Sequence, residues 1–149
     1  MLRVKHLLSE KSAQRGSSSQ VWTVDAEEPV LQAIQLMADK YIGALPVMRG
    51  NSLVGLVSER DYARKVILRG RSSAETPVWE IMESPVVTVH PEDTVNHCMQ
   101  LVTDKRIRHL PVIEKGKLIG IVSIGDLVKA VIDEQQQTIT QLERYIVSG

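Results

Sequence analysis

The chain has 149 residues, with 18 basic and 18 acidic side chains and a formal net charge of zero at pH 7. That balance speaks against a nucleic-acid binder, which needs a basic excess to meet phosphates. Phe is absent and only two Trp and three Tyr are present, so an aromatic platform for stacking single strands is not expected.

The N-terminus carries charge but has neither the long apolar core nor the small-residue cleavage site of a signal peptide. Val4-Lys5-His6-Leu7-Leu8 reads as a short lead-in helix, and the polar, Ser-rich stretch Glu10–Gln20 as a loop. From Val21 the chain repeats itself. Val21–Tyr62 aligns without a gap on Val86–Leu127, 65 residues later, and 18 of the 42 positions are identical. A short strand opens each copy, Val21-Trp22-Thr23-Val24 and Val86-Val87-Thr88-Val89. A helix follows, with an apolar face of Val30, Ala33, Ile34, Met37 and Tyr41 in the first copy and Val95, Cys98, Met99 and Val102 in the second. Leu45-Pro46-Val47-Met48 and Leu110-Pro111-Val112-Ile113 read as strands with proline at an edge position. Turns over Arg49–Ser52 and Glu114–Lys117 lead into Leu53–Val57 and Leu118–Val122, and second helices open at Ser58 and Ser123. Arg69–Thr76 is a polar connector, and Val78–Met82 matches the first lead-in. The order β-α-β-β-α, twice, predicts an α+β fold. One copy could not bury its apolar faces alone, so the two are expected to pack with pseudo-twofold symmetry.

The pattern apolar-Pro-Val, short turn, apolar-Gly-apolar-Val-Ser-x-x-Asp, present twice in phase, resembles the cystathionine-β-synthase (CBS) repeat. Two such repeats make a Bateman module. The resemblance covers nearly the whole chain, with repeat 1 at about 10–69, repeat 2 at about 77–135 and a C-terminal helix extending to about 147. It implies two clefts that hold adenosyl compounds, here AMP and/or NAD(H). The aspartates Asp61 and Asp126 would take the ribose hydroxyls, with Ser58 and Ser123 helping at ribose or phosphate. It implies that Arg108 and His109 face a phosphate in the Asp126 cleft, where the first copy has only Gly43 and Ala44. It makes Val21, Trp22, Val86, Val87, Ile42 and Ile107 the apolar walls of adenine, with Asp126 paired to Val21-Trp22 and Asp61 to Val86-Val87.

The residues themselves admit two readings. Ser58-Glu59-Arg60-Asp61 and Ser123-Ile124-Gly125-Asp126 are helix caps, serine accepting an N–H and the acid complementing the dipole. The same geometry offers free N–H groups to a phosphate and a carboxylate to vicinal hydroxyls. Arg60, Arg64 and Lys65 are a solvated helix face or, as a group, a polyphosphate site. Gly125 permits close backbone approach of a ligand. The walls are core or pocket.

No Rossmann or P-loop pattern is present. The four histidines show no metal spacing, and Cys98 reads as a small buried hydrophobe in a reducing compartment. No apolar run approaches the roughly 20 residues of a membrane span, so a cytoplasmic protein is expected. The last helix carries a stripe of Leu127, Val128, Val131, Ile132, Ile139, Leu142, Tyr145 and Ile146. Beyond Gln137 it lacks an internal partner, which predicts a homodimer through helix faces. An enzyme reading by likeness to IMP dehydrogenase would need a barrel of about 250 residues that this chain does not contain. The expectation is a non-catalytic sensor of an adenine nucleotide acting on an unidentified regulated protein. The alternative is a dimerisation module with vestigial clefts.

Overall fold

The computed structural model describes residues 1–14 and 21–148. In chain order the elements are α1 (Val4–Gln14), β1 (Val24–Asp25), α2 (Val30–Lys40), β2 (Ala44–Arg49), β3 (Ser52–Ser58), α3 (Glu59–Tyr62), α4 (Val95–Lys105), β4 (His109–Glu114), β5 (Lys117–Ser123) and α5 (Ile124–Ser148). A π-helical turn, Ala63–Ile67, continues α3, and a 3-10 turn, Val78–Glu80, precedes the second repeat. The chain divides into two compact units, residues 20–87 and residues 1–19 with 88–149. Each lead-in segment therefore sits with the other repeat's sheet: α1 joins the second repeat, and Val78–Val87 joins the first.

In the first-repeat unit the sheet order is β1-β2-β3, with β1 parallel and β3 antiparallel to β2. Its core is Val30, Ala33 and Met37 of α2 against Leu45, Val47 and Val57 of the sheet, closed by Val66, Val78 and Ile81. Spacing of three and four places the α2 residues on one face. Pro29 begins α2 without a side-chain cap. The connector closes that end, because Val30 N donates to Thr76 O at 2.8 Å and Leu31 N to Ser73 O at 3.0 Å. Orphan amides at a buried helix start need such acceptors. In the other unit Thr94 caps α4, and Val95 N donates to Leu2 O at 3.0 Å, so the N-terminal segment plays the connector's part.

Both helix faces follow the predicted pattern except at Tyr41, which is 95% exposed. It stands in the left-handed region, φ 55°, and ends α2, as Arg106 ends α4 at the same φ. The chain must reverse there to enter β2, and the reversal turns the side chain outward. The Glu10–Gln20 loop is corrected in part: α1 continues to Gln14, and the Ser-rich residues 15–20 lie outside the described residues.

The opening strands are shorter than predicted. β1 has two residues, and the second copy keeps only the parallel bridge Val89↔Val112. Proline is the reason. Val89 N donates to Pro111 O at 3.0 Å and Ile113 N donates to Val89 O at 2.8 Å. By the alternation of a parallel ladder the next donor back would be the nitrogen of Pro111, which has no hydrogen. Pro46 occupies the same place in β2. It is therefore not on an edge strand; it lies in the middle strand of three, and its missing donor cuts the neighbour short.

Candidate functional site

The two aspartates of the repeated Ser-x-x-Asp stand three residues inside helices that leave the last strand of each sheet. Each unit has its own version.

In the second-repeat unit Asp126 N donates to Ser123 Oγ at 3.1 Å, and Ser123 N donates back to Asp126 Oδ2 at 2.8 Å. This reciprocal cap satisfies two backbone donors. Lys11 of α1 also donates to Asp126 Oδ2, at 2.8 Å, and to Ile121 O at 2.9 Å. Antiparallel pairing sets His109 opposite Ser123, and Ile124 N donates to Arg108 O at 2.8 Å. The register thus brings Ile107, Arg108 and His109 beside the helix start that holds Ser123, Gly125 and Asp126. Burial pushes the Asp126 carboxyl up, but the bonds from Lys11 and Ser123 outweigh it and hold the group below its ordinary value. Burial holds the His109 imidazole below its ordinary value. Lys11 and Arg108 add to that effect and Asp126 opposes it. A Cβ on Gly125 would meet only Ser123 Oγ, at 3.6 Å, so packing does not demand glycine there.

In the first-repeat unit the same cap forms at Ser58. Its amide and hydroxyl both donate to Asp61 Oδ2, at 2.9 and 3.0 Å, and its hydroxyl accepts from Asp61 N at 3.1 Å. Lys65, one turn on, pairs with Asp61 Oδ1 at 3.2 Å. It also donates to Ile81 O at 3.0 Å and Glu83 Oε1 at 3.1 Å. Here burial dominates and raises the Asp61 carboxyl above its ordinary value, despite Lys65 and Ser58. Burial works against the Lys65 charge, but the hydrogen bond to Glu83 and the charge of Asp61 hold its pKa up. Gly43 and Ala44 take the strand positions matching Arg108 and His109, with Glu59 N donating to Gly43 O at 3.0 Å.

The two sites therefore differ. Both Asp61 oxygens are engaged and its side chain is 8% exposed, whereas Asp126 is 26% exposed. Among the described residues Asp126 Oδ1 has no hydrogen-bond partner. Arg60 and Arg64 are exposed on the helix surface, while Lys65 is committed to the acids beside it. Trp22 and Ile42 pack on the first-repeat core, and the Lys40 ammonium lies 4.2 Å from the Trp22 ring centre. Val21, Val86 and Val87 are half-buried. Cys98 is buried on α4, where desolvation and Asp93 push its thiol up to about 11.

Sequence reasoning missed Lys11 and Glu83. A faint signal existed for Lys11: the position matching Lys65 is Ala130, so the second aspartate lacks a lysine of its own helix. Nothing local says that α1 supplies one.

Among the described residues no helix is long and apolar enough to cross a membrane. The CBS domain profile matches residues 17–68 and 78–133. A mitochondrial CBS domain-containing protein of Arabidopsis thaliana, CBSX3, is 44% identical over 128 residues, covering 83% of this chain and 62% of that protein. This chain thus spans less than two thirds of that relative. The solved structure of a putative signal-transduction protein with CBS domains from Burkholderia ambifaria is 50% identical, with a TM-score of 0.81 over 89% of this chain and 96% of that one. A more distant structure shares the fold at 22% identity, with a TM-score of 0.76 over 90% of this chain and 98% of that one: the CBS domain pair of protein MJ0100 in complex with methylthioadenosine and S-adenosylmethionine. With both copies of the internal repeat matched, the chain belongs to the CBS domain family and is a CBS domain pair.

Proposed function

We propose that this CBS pair is a non-catalytic regulatory module that binds an adenine nucleotide, AMP and/or NAD(H), and reports it to a partner protein. The observation that carries the reading is the Asp126 site. A carboxylate with one oxygen unpartnered among the described residues stands at a helix start beside Arg108 and His109. Carboxylate oxygens accept from vicinal hydroxyls, and a helix N-terminus with nearby cations suits a phosphate. Ser123, Gly125 and Ile107 complete this site in our assignment. The Asp61 site, with Ser58, Ile42, Gly43, Val86 and Val87, would fill less readily because its carboxylate is already satisfied. The MJ0100 complex supports the reading only in that the fold accommodates adenosyl compounds. The buried, unpaired Cys98 favours a reducing compartment, the cytoplasm in this assignment.

Isothermal titration with AMP, ATP, NAD+, NADH and S-adenosylmethionine tests the proposal, alongside Asp61→Ala and Asp126→Ala. Micromolar binding lost in Asp126→Ala supports it. Silence from all five ligands overturns it and leaves the second reading, a dimerisation module. That reading has its own support in the exposed apolar stripe of α5, where Ile132, Ile139, Leu142 and Ile146 stand clear of the unit.

A further inference from the structure

Lys11 of α1 lies outside both copies of the repeat and before residue 17, where the CBS profile begins. Its ammonium nevertheless reaches the aspartate of the second copy. It donates to Asp126 Oδ2 at 2.8 Å and to Ile121 O at 2.9 Å, and its side chain is 22% exposed. Ser123 N donates to the same Oδ2 at 2.8 Å. Two donors, one from α1 and one from the helix cap, thus hold one oxygen of the carboxylate and leave Oδ1 open among the described residues. One turn on, where the first copy has Lys65, α5 has Ala130. Burial opposes the Asp126 charge, and the bond from Lys11 is the largest of the influences that offset it. The other titratable group in its field is His109 of β4, which burial holds towards the neutral form. A half-buried carboxylate deprived of its cation moves towards its neutral form as well.

We infer that Lys11 is a positioning residue of the Asp126 site: it stays on Oδ2 whether the site is empty or filled, and fixes the carboxylate with Oδ1 presented to the ribose hydroxyls. The inference rests on the Asp126 reading given above. It makes α1 part of the ligand site, although α1 belongs to neither repeat. A diol bound through Oδ1 leaves the ion pair on Oδ2 intact. Hydroxyls donate more strongly to a carboxylate than to a neutral carboxyl. Lys11 therefore sets how strongly the diol is recognised, and down to what pH.

The test compares AMP with 2′,3′-dideoxy-AMP, which lacks the diol, in titrations of the wild type, Lys11→Met and Lys11→Arg at pH 7.5 and pH 5. The ratio of the two affinities cancels the phosphate, His109 and Arg108, which both ligands meet alike. The wild type is expected to prefer AMP by about tenfold or more at both pH values, the scale of a hydrogen bond to a charged group. In Lys11→Met the preference should fall at pH 5 towards about threefold, the scale of a bond to a neutral group. Lys11→Arg should keep the wild-type ratio at both. A second measurement uses the unaltered protein. Acetic anhydride labelling read by mass spectrometry should find Lys11 less reactive than the exposed Lys129, with and without AMP. A wild-type ratio in Lys11→Met at pH 5, or Lys11 labelled as fast as Lys129 in either state, overturns the inference while nucleotide binding stands. Equal affinity of the wild type for the two ligands overturns it together with the role of Asp126 at the ribose. Absence of AMP binding in the wild type overturns it together with the nucleotide reading.

Discussion

Gly55 of β3 and Met82 of the inter-repeat segment touch so closely that no side chain fits between them: a Cβ on Gly55 would stand 2.8 Å from Met82 Cγ and 3.1 Å from the Glu83 carbonyl. The backbone is fixed at this point, since Leu56 and Glu83 exchange hydrogen bonds of 3.0 and 2.8 Å. Gly55→Ala is therefore expected to destabilise the protein by about 1–3 kcal/mol, in the range of overpacked cores. At the matching Gly120 the clash is only with the terminal methyls of Leu8. Gly120→Ala should cost less, and Leu8→Ala in the same chain should relieve the clash. Urea unfolding of the three variants checks the order.

The serine caps give a second ordering. Ser58 Oγ both accepts from Asp61 N and donates to the Asp61 carboxylate at 3.0 Å, where the acid is 8% exposed, whereas Ser123 Oγ accepts from Asp126 N and contributes least of the bonds that hold down the more exposed Asp126 carboxyl. Ser58→Ala removes a cap and one donor to a buried acid, with an expected loss of about 2 kcal/mol. Ser123→Ala removes the cap and a weaker contact to a more exposed acid, about 1 kcal/mol. Equal losses in chemical denaturation would contradict the difference between the two sites.

The repeat, the order of elements and the position of both aspartates were legible in the sequence because each is a local pattern: periodicity for α2 and α4, turn residues before β3 and β5, Ser-x-x-Asp at the helix starts. What was not legible is set by long-range contacts. The lead-in segments change places between repeats, so Lys11 reaches a residue 115 positions away. Tyr41 has helical spacing, but the reversal into β2 turns it out. Pro46 looks like an edge residue, and only the sheet order shows that it instead shortens the strand beside it. Lys65, read as part of a solvated helix face or a polyphosphate site, is engaged by Glu83 as well as Asp61, and only the placement of the 81–83 segment beside α3 shows the contact with Glu83.

His109 is expected to link pH to stability and to the proposed nucleotide binding. Its ordinary value is 6.5, and in the folded protein burial lowers it. Between the lowered value and 6.5 the unfolded chain binds more protons, so stability falls as pH drops through that window and is unaffected above it. A phosphate beside His109 would favour the protonated ring. AMP should therefore bind more tightly as pH falls from 7.5 towards 6, while the free protein becomes less stable. His109→Gln should flatten both trends by the share His109 contributes. Titrations and melts across that range check it, and the AMP phosphate's own titration is common to both proteins.

The stripe on α5 has a heptad order. Ile132, Ile139 and Ile146 recur every seven residues, and Val128, Gln135 and Leu142 fill the second seam position. Leu127 and Ala130, which are buried, lie on a different face that packs within the unit. Isoleucine at one seam position, with Val128 and Leu142 at the other, suits a two-stranded pair of helices, and Gln135 is a polar break in that seam. The expected partner is the same helix of a second copy. Ile139→Asp and Leu142→Asp, at positions 48% and 57% exposed in the single chain, should convert a dimer to a monomer in light scattering. Because neither residue supports the core of its own unit, the melting transition at high concentration should fall only by the stability that dimerisation adds. A double variant that remains dimeric would place the interface elsewhere on the chain.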